Sequence, residues 1–342
     1  MKKIIVTGGG GYVGVLLCEE LLSKGYYVIS IDRYFFGIEK MSSIENCPNF
    51  RIVKDDLRYC DTDLFQDVFA VMDLAGLSND ASAEIDINLT KEINYKGSER
   101  FAREAKKHGV TYYIYSSSAS VYGAGTRSSL SEKDDLFPQT EYAKSKVAME
   151  KVLFDLQDEN FHPVMLRNAT IFGLAPRMRF DLAINIMTMR AWKERVIYIM
   201  GGGEQWRPFV HVRDVVEAFI TVLEAPLDKV AGEIFNVGSS SMNYQIKQLA
   251  QFVLDVIPNV TIHTIPDDPD KRTYNLNFDK IKAVLDFEPK IQVHEGIVEI
   301  KQALERGILN PDDPTCYTLQ WYKSLINWDK RIKDLSYNGQ II

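Results

Sequence analysis

The 342-residue sequence predicts an α/β protein, with a doubly wound parallel sheet over residues 1–173 and a smaller C-terminal α+β lobe over 174–342. Three observations carry this expectation. Short β-rich runs alternate with helical stretches through the first half, the pattern of a parallel sheet covered on both faces. The first such run leads straight into the cluster Thr7-Gly8-Gly9-Gly10-Gly11-Tyr12-Val13-Gly14. Past about Gly173 the alternation loosens with no Pro/Gly/Ser linker, so one unit with a cleft is expected.

In chain order, residues 3–7 read as the first strand and 12–24 as a helix. Residues 27–31, 50–54 and 68–74 read as strands two to four. A long helix spans 88–107, the fifth strand 111–116, a second long helix 139–159 and the sixth strand 163–167. In the second half, 196–200, 233–237 and 260–265 read as strands, and 214–223, 244–256 and 293–306 as helices. Segments of this half that return to the large sheet are allowed for. The tail beyond Asn310 carries Trp321 and Trp328 and is expected to pack down.

Apolar residues make up 46% and charged residues 25%, an ordinary globular balance, and the net charge of −7 argues against nucleic-acid or membrane-surface partners. Ile4-Ile5-Val6 ends at Thr7, too short for a signal peptide, and no run approaches the roughly 20 residues of a membrane span. Cys18, Cys47, Cys60 and Cys316 form no CxxC pair, so neither a metal site nor a disulfide framework is expected, and a reducing cytoplasm fits.

The glycine cluster has a physical reading. Gly8, Gly11 and Gly14 fit GxxGxxG, and Gly9, Gly11 and Gly14 fit GxGxxG. Such a chain can turn sharply, admit a pyrophosphate to its backbone and present a helix N-terminus to it. The required context is present: a strand before, a helix after, and Asp32 at the end of strand two. A carboxylate there accepts ribose hydroxyls and repels the 2′-phosphate of NADP, so NAD is the expected cofactor. Arg33, next to it, is the one residue that favours NADP.

Tyr142 and Lys146, four apart, share one face of a helix. An ammonium about 4 Å from the phenol favours phenolate by about 4 kcal/mol at an effective dielectric of ~20, or roughly three pK units. Such a pair can act as a general base near neutrality. YxxxK alone is common. Here strand five ends in Ser116-Ser117-Ser118-Ala119-Ser120-Val121-Tyr122-Gly123, and a parallel strand delivers its C-terminal end to the ligand crevice.

TGGGGYVG, Asp32, SSSASVYG and Tyr142-Ala143-Lys144-Ser145-Lys146 together resemble the extended short-chain dehydrogenase/reductases, whose fold is Rossmann-type. Asp56-Leu57, Leu74-Ala75-Gly76, Asn94-Tyr95-Lys96-Gly97 and Arg167-Asn168-Ala169-Thr170-Ile171-Phe172-Gly173 extend the resemblance through most of the chain. Asp73 departs from it, standing where the family usually has histidine. The resemblance implies Tyr142 as base, Lys146 as the group that lowers its pKa and holds the nicotinamide ribose, and Ser118, three before Val121, at the substrate oxygen. It implies cofactor contacts from Gly8, Gly11, Tyr12, Val13, Gly14, Asp32, Arg33, Asp56, Leu57, Leu74, Ala75, Gly76, Asn94 and Ser116, together with Tyr142 and Lys146.

Nucleotide-sugar members of this family hold a diphosphate with arginines, whose forked donors suit phosphate. Arg207, in a stretch from Gly201 to Asp214, and Arg272, in Asp270-Lys271-Arg272, are the expected contacts, with Asp214 orienting Arg207. Asn168 and Asn185 are expected donors to the sugar or diphosphate. Arg177, Arg179 and Arg190 add local positive charge, which suits an anionic ligand. Residues 176–182 resemble a segment of members that act on heptose and other lipopolysaccharide or capsule sugars.

Dehydratase and decarboxylase relatives place acids beside the catalytic hydroxyl. Here those two positions are Ala119 and Ser120, which cannot do that work near neutrality. The expected reaction is therefore epimerisation of a nucleotide-linked sugar through a transient 4-keto form. A 4-dehydrogenase that releases the keto-sugar is the alternative, and a non-catalytic NAD(H) sensor stands behind both. The family resemblance also implies a homodimer or higher homo-oligomer, paired through helices 88–107 and 139–159.

Overall fold

On the first strand, Ile4 and Val6 point to one face and Ile5 to the other, and all three are fully buried. Ile4 and Val6 join a cluster with Val15 and Leu16 of the helix Gly14–Ser23 and Phe219 and Val222 of the helix Val212–Glu224. Ile5 joins a separate cluster with Phe101 and Ala105 of the helix Ser98–Lys107 and Met149 and Leu153 of the helix Glu141–Leu156. The period-two alternation of this strand thus puts helices on both faces of the sheet.

The computed structural model describes residues 1–123, 129–267 and 272–340. Its strands are β1 (Lys3–Thr7), β2 (Tyr27–Asp32), β3 (Phe50–Lys54), β4 (Val68–Asp73), β5 (Tyr112–Ser118), β6 (His162–Asn168), β7 (Thr170–Phe172), β8 (Val196–Met200), β9 (Trp206–His211), β10 (Ile234–Val237), β11 (Asn243–Gln245) and β12 (Thr261–Ile265). Seven of them form the central sheet in the order β10-β6-β5-β4-β1-β2-β3, every pair parallel. The strand order reverses between β1 and β4, and ligands of open α/β sheets bind at such a switch point, outside the carboxyl ends of the strands.

All six strands expected in the first half are present. The seventh, β10, comes from the second half and adds to β6, while the helix Val212–Glu224 returns to cover the sheet. The smaller lobe holds β11-β9-β7 and the parallel pair β12-β8 around a third apolar cluster. The short strands β7, β9 and β11 were not expected, because three to six residues carry too little periodicity to be read.

The long helix expected over 88–107 is instead a composite. Ile87–Thr90 is α-helical, Lys91–Gly97 is a π-helical turn, and Ser98–Lys107 is α-helical again. π-Turns of this kind are rare and concentrate at functional sites. The helix expected over 139–159 runs Glu141–Leu156, and Thr140 caps it by accepting from the Ala143 N–H at 3.2 Å. The tail packs down only in part: in the helix Thr318–Leu335, Thr318 is buried, while Trp328, Ile332 and Leu335 are exposed. Among the described residues the four cysteines are free, no cluster suits a metal, and no helix is long and apolar enough to cross a membrane.

Candidate active site

A cavity of about 880 Å³ runs along the carboxyl ends of β1, β2, β4, β5 and β6 into the smaller lobe. Its floor is the glycine turn. Gly8 has φ +68°, and a Cβ there would lie 2.9 Å from the Ala75 nitrogen; at Gly14 a Cβ would lie 2.1 Å from the Gly8 carbonyl oxygen. Only glycine permits this turn and the close packing of the helix behind it. Asp32 closes the turn, accepting from the Gly10 N–H at 3.1 Å and the Tyr34 N–H at 2.7 Å. Burial raises the Asp32 pKa, and the backbone donors only partly offset it.

Asp73, the departure from the family's histidine, lies behind this floor. It is buried and accepts from Thr7 Oγ1 at 2.6 Å and from the Tyr113 hydroxyl at 2.7 Å, and burial raises its pKa. Thr7 Oγ1 in turn accepts from the Leu74 and Ala75 N–H groups, each at 3.2 Å. The carboxylate therefore fixes the start of the loop after β4 through Thr7.

Of the expected cofactor contacts, Gly8, Gly11, Tyr12, Val13, Gly14, Asp32, Arg33, Asp56, Leu57, Leu74, Ala75, Gly76, Ser116, Tyr142 and Lys146 all line the cavity. Arg33 reaches Asp56 Oδ2 at 3.2 Å, and Arg58 grips the same carboxylate through Nε and Nη2 at 2.9 and 2.7 Å. Burial opposes ionisation of Asp56, but Arg58 outweighs it and holds the pKa below the usual range. Asn94 is the exception among the cofactor contacts. From the π-turn its side chain exchanges hydrogen bonds with Leu77 N–H and C=O at 2.8 and 3.1 Å, so it shapes the loop and does not border the cavity.

Strand β5 extends to Ser118, two residues beyond its expected end, and so carries Ser118 to the cavity edge. Ser117 points the other way: its hydroxyl donates to Glu150 Oε1 at 2.5 Å. Glu150 forms a buried two-point pair with Arg167, Nε–Oε1 3.0 Å and Nη2–Oε2 2.7 Å, and Arg167 donates to the Tyr122 hydroxyl at 2.9 Å. This network occupies Ser117, while the Ser118 hydroxyl, at the cavity edge, acts on Tyr142 and lowers its pKa.

The expected pull of Lys146 on Tyr142 is not what governs the phenol. Tyr142 is pushed up to about 12 by burial and by the Asp80 carboxylate, against the Ser118 hydrogen bond and the Arg179 charge. Lys146 lies 5.6 Å from the Tyr142 ring centroid and donates to the Ser116 carbonyl at 2.6 Å. Its own pKa is lowered to about 8 by burial, with Asp73 and Glu150 opposing.

The substrate-side residues divide. Asn168 lines the cavity and donates to Ser116 Oγ at 3.1 Å, while its buried Oδ1 has no partner. Arg207 and Arg272 line the cavity too: Arg207 donates to the Arg272 carbonyl, and Arg272 pairs with Asp80 Oδ2 at 3.0 Å. Asp270 and Lys271 lie outside the described residues. Asn185 does not reach the cavity. It is fully buried, accepts from Gly173 N–H at 3.0 Å and gives its amide hydrogens to the Tyr12 hydroxyl and the Arg179 carbonyl, so its role is structural. Asp214 does not orient Arg207 either; it accepts from the Lys290 and Ile291 N–H groups at 3.0 Å each.

Sequence reasoning missed Asp80 and Tyr322, which also line the cavity. No local spacing marks Asp80, which sits in a short helix after β4. The recurrence of apolar residues every three or four positions, at Trp321, Leu325, Trp328, Ile332 and Leu335, could have revealed the helix that carries Tyr322.

The glycine floor, the acid at the end of β2 and the Tyr142/Lys146 wall line one cavity at the switch point of a doubly wound sheet, the arrangement of a dinucleotide-binding protein. The sequence pattern of the NAD dependent epimerase/dehydratase family matches residues 4–238, and the chain belongs to that family of NAD-dependent enzymes. An uncharacterized UDP-glucose epimerase of Bacillus subtilis (strain 168) is 26% identical over 309 residues, 86% of this chain and 95% of that protein. A dTDP-D-glucose 4,6-dehydratase of Mus musculus is 25% identical over 356 residues, 98% of this chain and 92% of that one. The crystal structure of UDP-glucuronic acid 4-epimerase from Bacillus cereus, in complex with UDP-glucuronic acid and NAD, shares the fold with a TM-score of 0.82. That match is 22% identical and covers 89% of this chain and 99% of the other. The residues present fit the family's cofactor: Gly8 and Gly14 let the turn close against the Leu74–Ala75 backbone and its own first residues, as a glycine-rich dinucleotide turn requires, and Asp32 follows at the end of β2, where a ribose-binding acid would stand.

Proposed function

We propose that this chain is a nucleotide-sugar epimerase that acts through a transient 4-keto sugar. The observation that carries the reading is the composition of the catalytic wall. Ser118, Tyr142 and Lys146 face the cavity, and the next two residues, Ala119 and Ser120, are buried and supply no acid or base. Asp80, the carboxylate that acts on Tyr142, is engaged by Arg272 and Thr140. Dehydration and decarboxylation need a further acid–base group at the sugar, and Ala119, Ser120 and the engaged Asp80 supply none among the described residues of this wall.

NAD, when bound, would supply the hydride acceptor and donor for the sugar carbon. Ser118 holds the reacting hydroxyl, and Tyr142 takes its proton as the carbonyl forms and gives it back as the alcohol re-forms. Lys146, its ammonium anchored on Ser116, would hold the nicotinamide-side ribose, and its charge together with that of the oxidised nicotinamide would favour the phenolate against the burial that raises the Tyr142 pKa. Arg207 and Arg272 hold the diphosphate, which leaves the sugar free to present either face. A homo-oligomer remains part of this reading: Phe154, 63% exposed on the helix Glu141–Leu156, is an apolar contact available to a second copy, and sedimentation measures the assembly.

The test is a panel of UDP-, GDP-, dTDP- and CDP-sugars with NAD, read by NMR of the sugar and by NADH absorbance. An inverted hydroxyl without net NADH supports the epimerase. Stoichiometric NADH with a released keto-sugar replaces it with the 4-dehydrogenase. Binding of NAD with no turnover of any sugar replaces both with a sensor.

A further inference from the structure

Arg177 is 2% exposed, yet it borders the cavity. Its guanidinium lies 3.7 Å over the Phe36 ring and donates to Thr318 Oγ1 at 2.9 Å, and its Nε has no partner. The neighbouring carboxylate, Asp181, is held by Arg179 through two hydrogen bonds of 3.1 and 2.6 Å. Arg177 is thus a buried cation whose nearest counter-charge is committed elsewhere. Burial and the Arg179 charge lower its pKa to about 10. A cation in this position calls for an anion in the cavity. Its charge acts on Asp32, at the glycine-turn end of the cavity, and on Arg179, whose charge in turn acts on Tyr142.

The helix Thr318–Leu335 lies over the same place. Thr318, fully buried, accepts from Arg177 and donates to Asp181 Oδ1 at 3.2 Å. Trp321 Nε1 donates to the Phe35 carbonyl at 2.6 Å, and Tyr322 meets Phe35 and Phe36 edge-on at 6.1 and 5.3 Å between centroids. Tyr322, Leu325, Ile326 and Asp329 line the cavity, and the helix also packs against Asp80–Ala83. It therefore spans the cavity from the loop after β2 to the loop after β4.

We propose that the helix Thr318–Leu335 is a clasp that retains the dinucleotide, with Arg177 beneath it as the counter-charge of the pyrophosphate. The cofactor is then a resident group that exchanges only when the helix lifts. This rests on the cavity being the NAD site, and it suits a reaction in which the hydride must return to the sugar it left.

The test reads NAD itself. Full-length protein is purified without added nucleotide, passed through gel filtration and assayed for released NAD(H) per chain. Tyr322→Ala, Arg177→Gln and a chain ending at Tyr317 are treated alike, with circular dichroism to confirm folding. The intact protein is expected to keep close to one NAD(H) per chain, and Tyr322→Ala to lose it. After stripping, Arg177→Gln is expected to bind NAD and ADP at least about tenfold more weakly, as for a lost charge-assisted phosphate contact, with adenosine unaffected. If the truncated chain does not fold, the two point variants decide. Full exchange of NAD by the intact protein during gel filtration, or unchanged ADP affinity in Arg177→Gln, overturns the clasp while leaving the cofactor site intact. No NAD affinity in any form overturns the site itself.

Discussion

The Lys146 ammonium gives its hydrogen bond to the Ser116 carbonyl at 2.6 Å and lies 4.5 Å over the Tyr115 ring, on the buried side of the cavity wall. Lys146 is therefore anchored by β5 and not by the phenol it serves. Burial lowers its pKa to about 8 from an ordinary 10.5. Between these values the unfolded chain binds more protons than the folded one, so this group's contribution to stability rises with pH across that window. Below pH 8 its penalty is fully present, on the order of 3 kcal/mol. Lys146→Met, without nucleotide, is expected to gain stability relative to wild type at pH 7. The gap should narrow toward pH 10 in urea melts at both pH values.

Tyr142→Phe is expected to lower turnover by about 10²–10⁴-fold while NAD affinity stays near wild type, since only the proton-transferring oxygen is lost. Single-turnover NADH formation and NAD titration measure the two halves. Ser118→Ala should lower kcat with little change in folding. Ser117→Ala should reverse that pattern, because its hydroxyl serves Glu150.

Glu150→Gln leaves the Arg167 guanidinium buried without its counter-ion. Breaking such a pair from one side costs about 3–5 kcal/mol, so a marked drop in the denaturation midpoint is expected. Glu150→Gln with Arg167→Met removes both charges and should recover much of that loss. Failure to recover would mean that Arg167 matters chiefly through Tyr122.

Asp32→Asn removes the negative charge that faces the ribose while keeping an acceptor for the glycine turn. The wild type is expected to bind NAD more tightly than NADP, and the variant to narrow that ratio by about tenfold or more. Arg33, next in sequence to the acid, is held by Asp56 at 3.2 Å. Paired Kd measurements for the two cofactors decide it.

The sequence alone determined the sheet, the glycine floor, Asp32 and the Tyr142–Lys146 face. Each is encoded locally: strand period, turn sterics, helix spacing and the residue at a strand's end all act within a few positions of one another. That Ser118, Arg207 and Arg272 border the cavity was also legible, through the resemblance to family motifs. Asn185 and Asn94 were not, because an amide can serve a ligand or the backbone and only the packed neighbours decide which. At Asn185 these are Gly173, Tyr12 and Arg179, brought from distant parts of the chain. The same holds for Tyr142, whose high pKa reflects burial that no spacing reveals, and for Arg177, whose lack of a counter-ion appears only when Asp181 turns to Arg179. Tertiary structure decided these points because desolvation and pairing depend on which groups fold together, and Thr318–Leu335 meets the cavity from the far end of the chain.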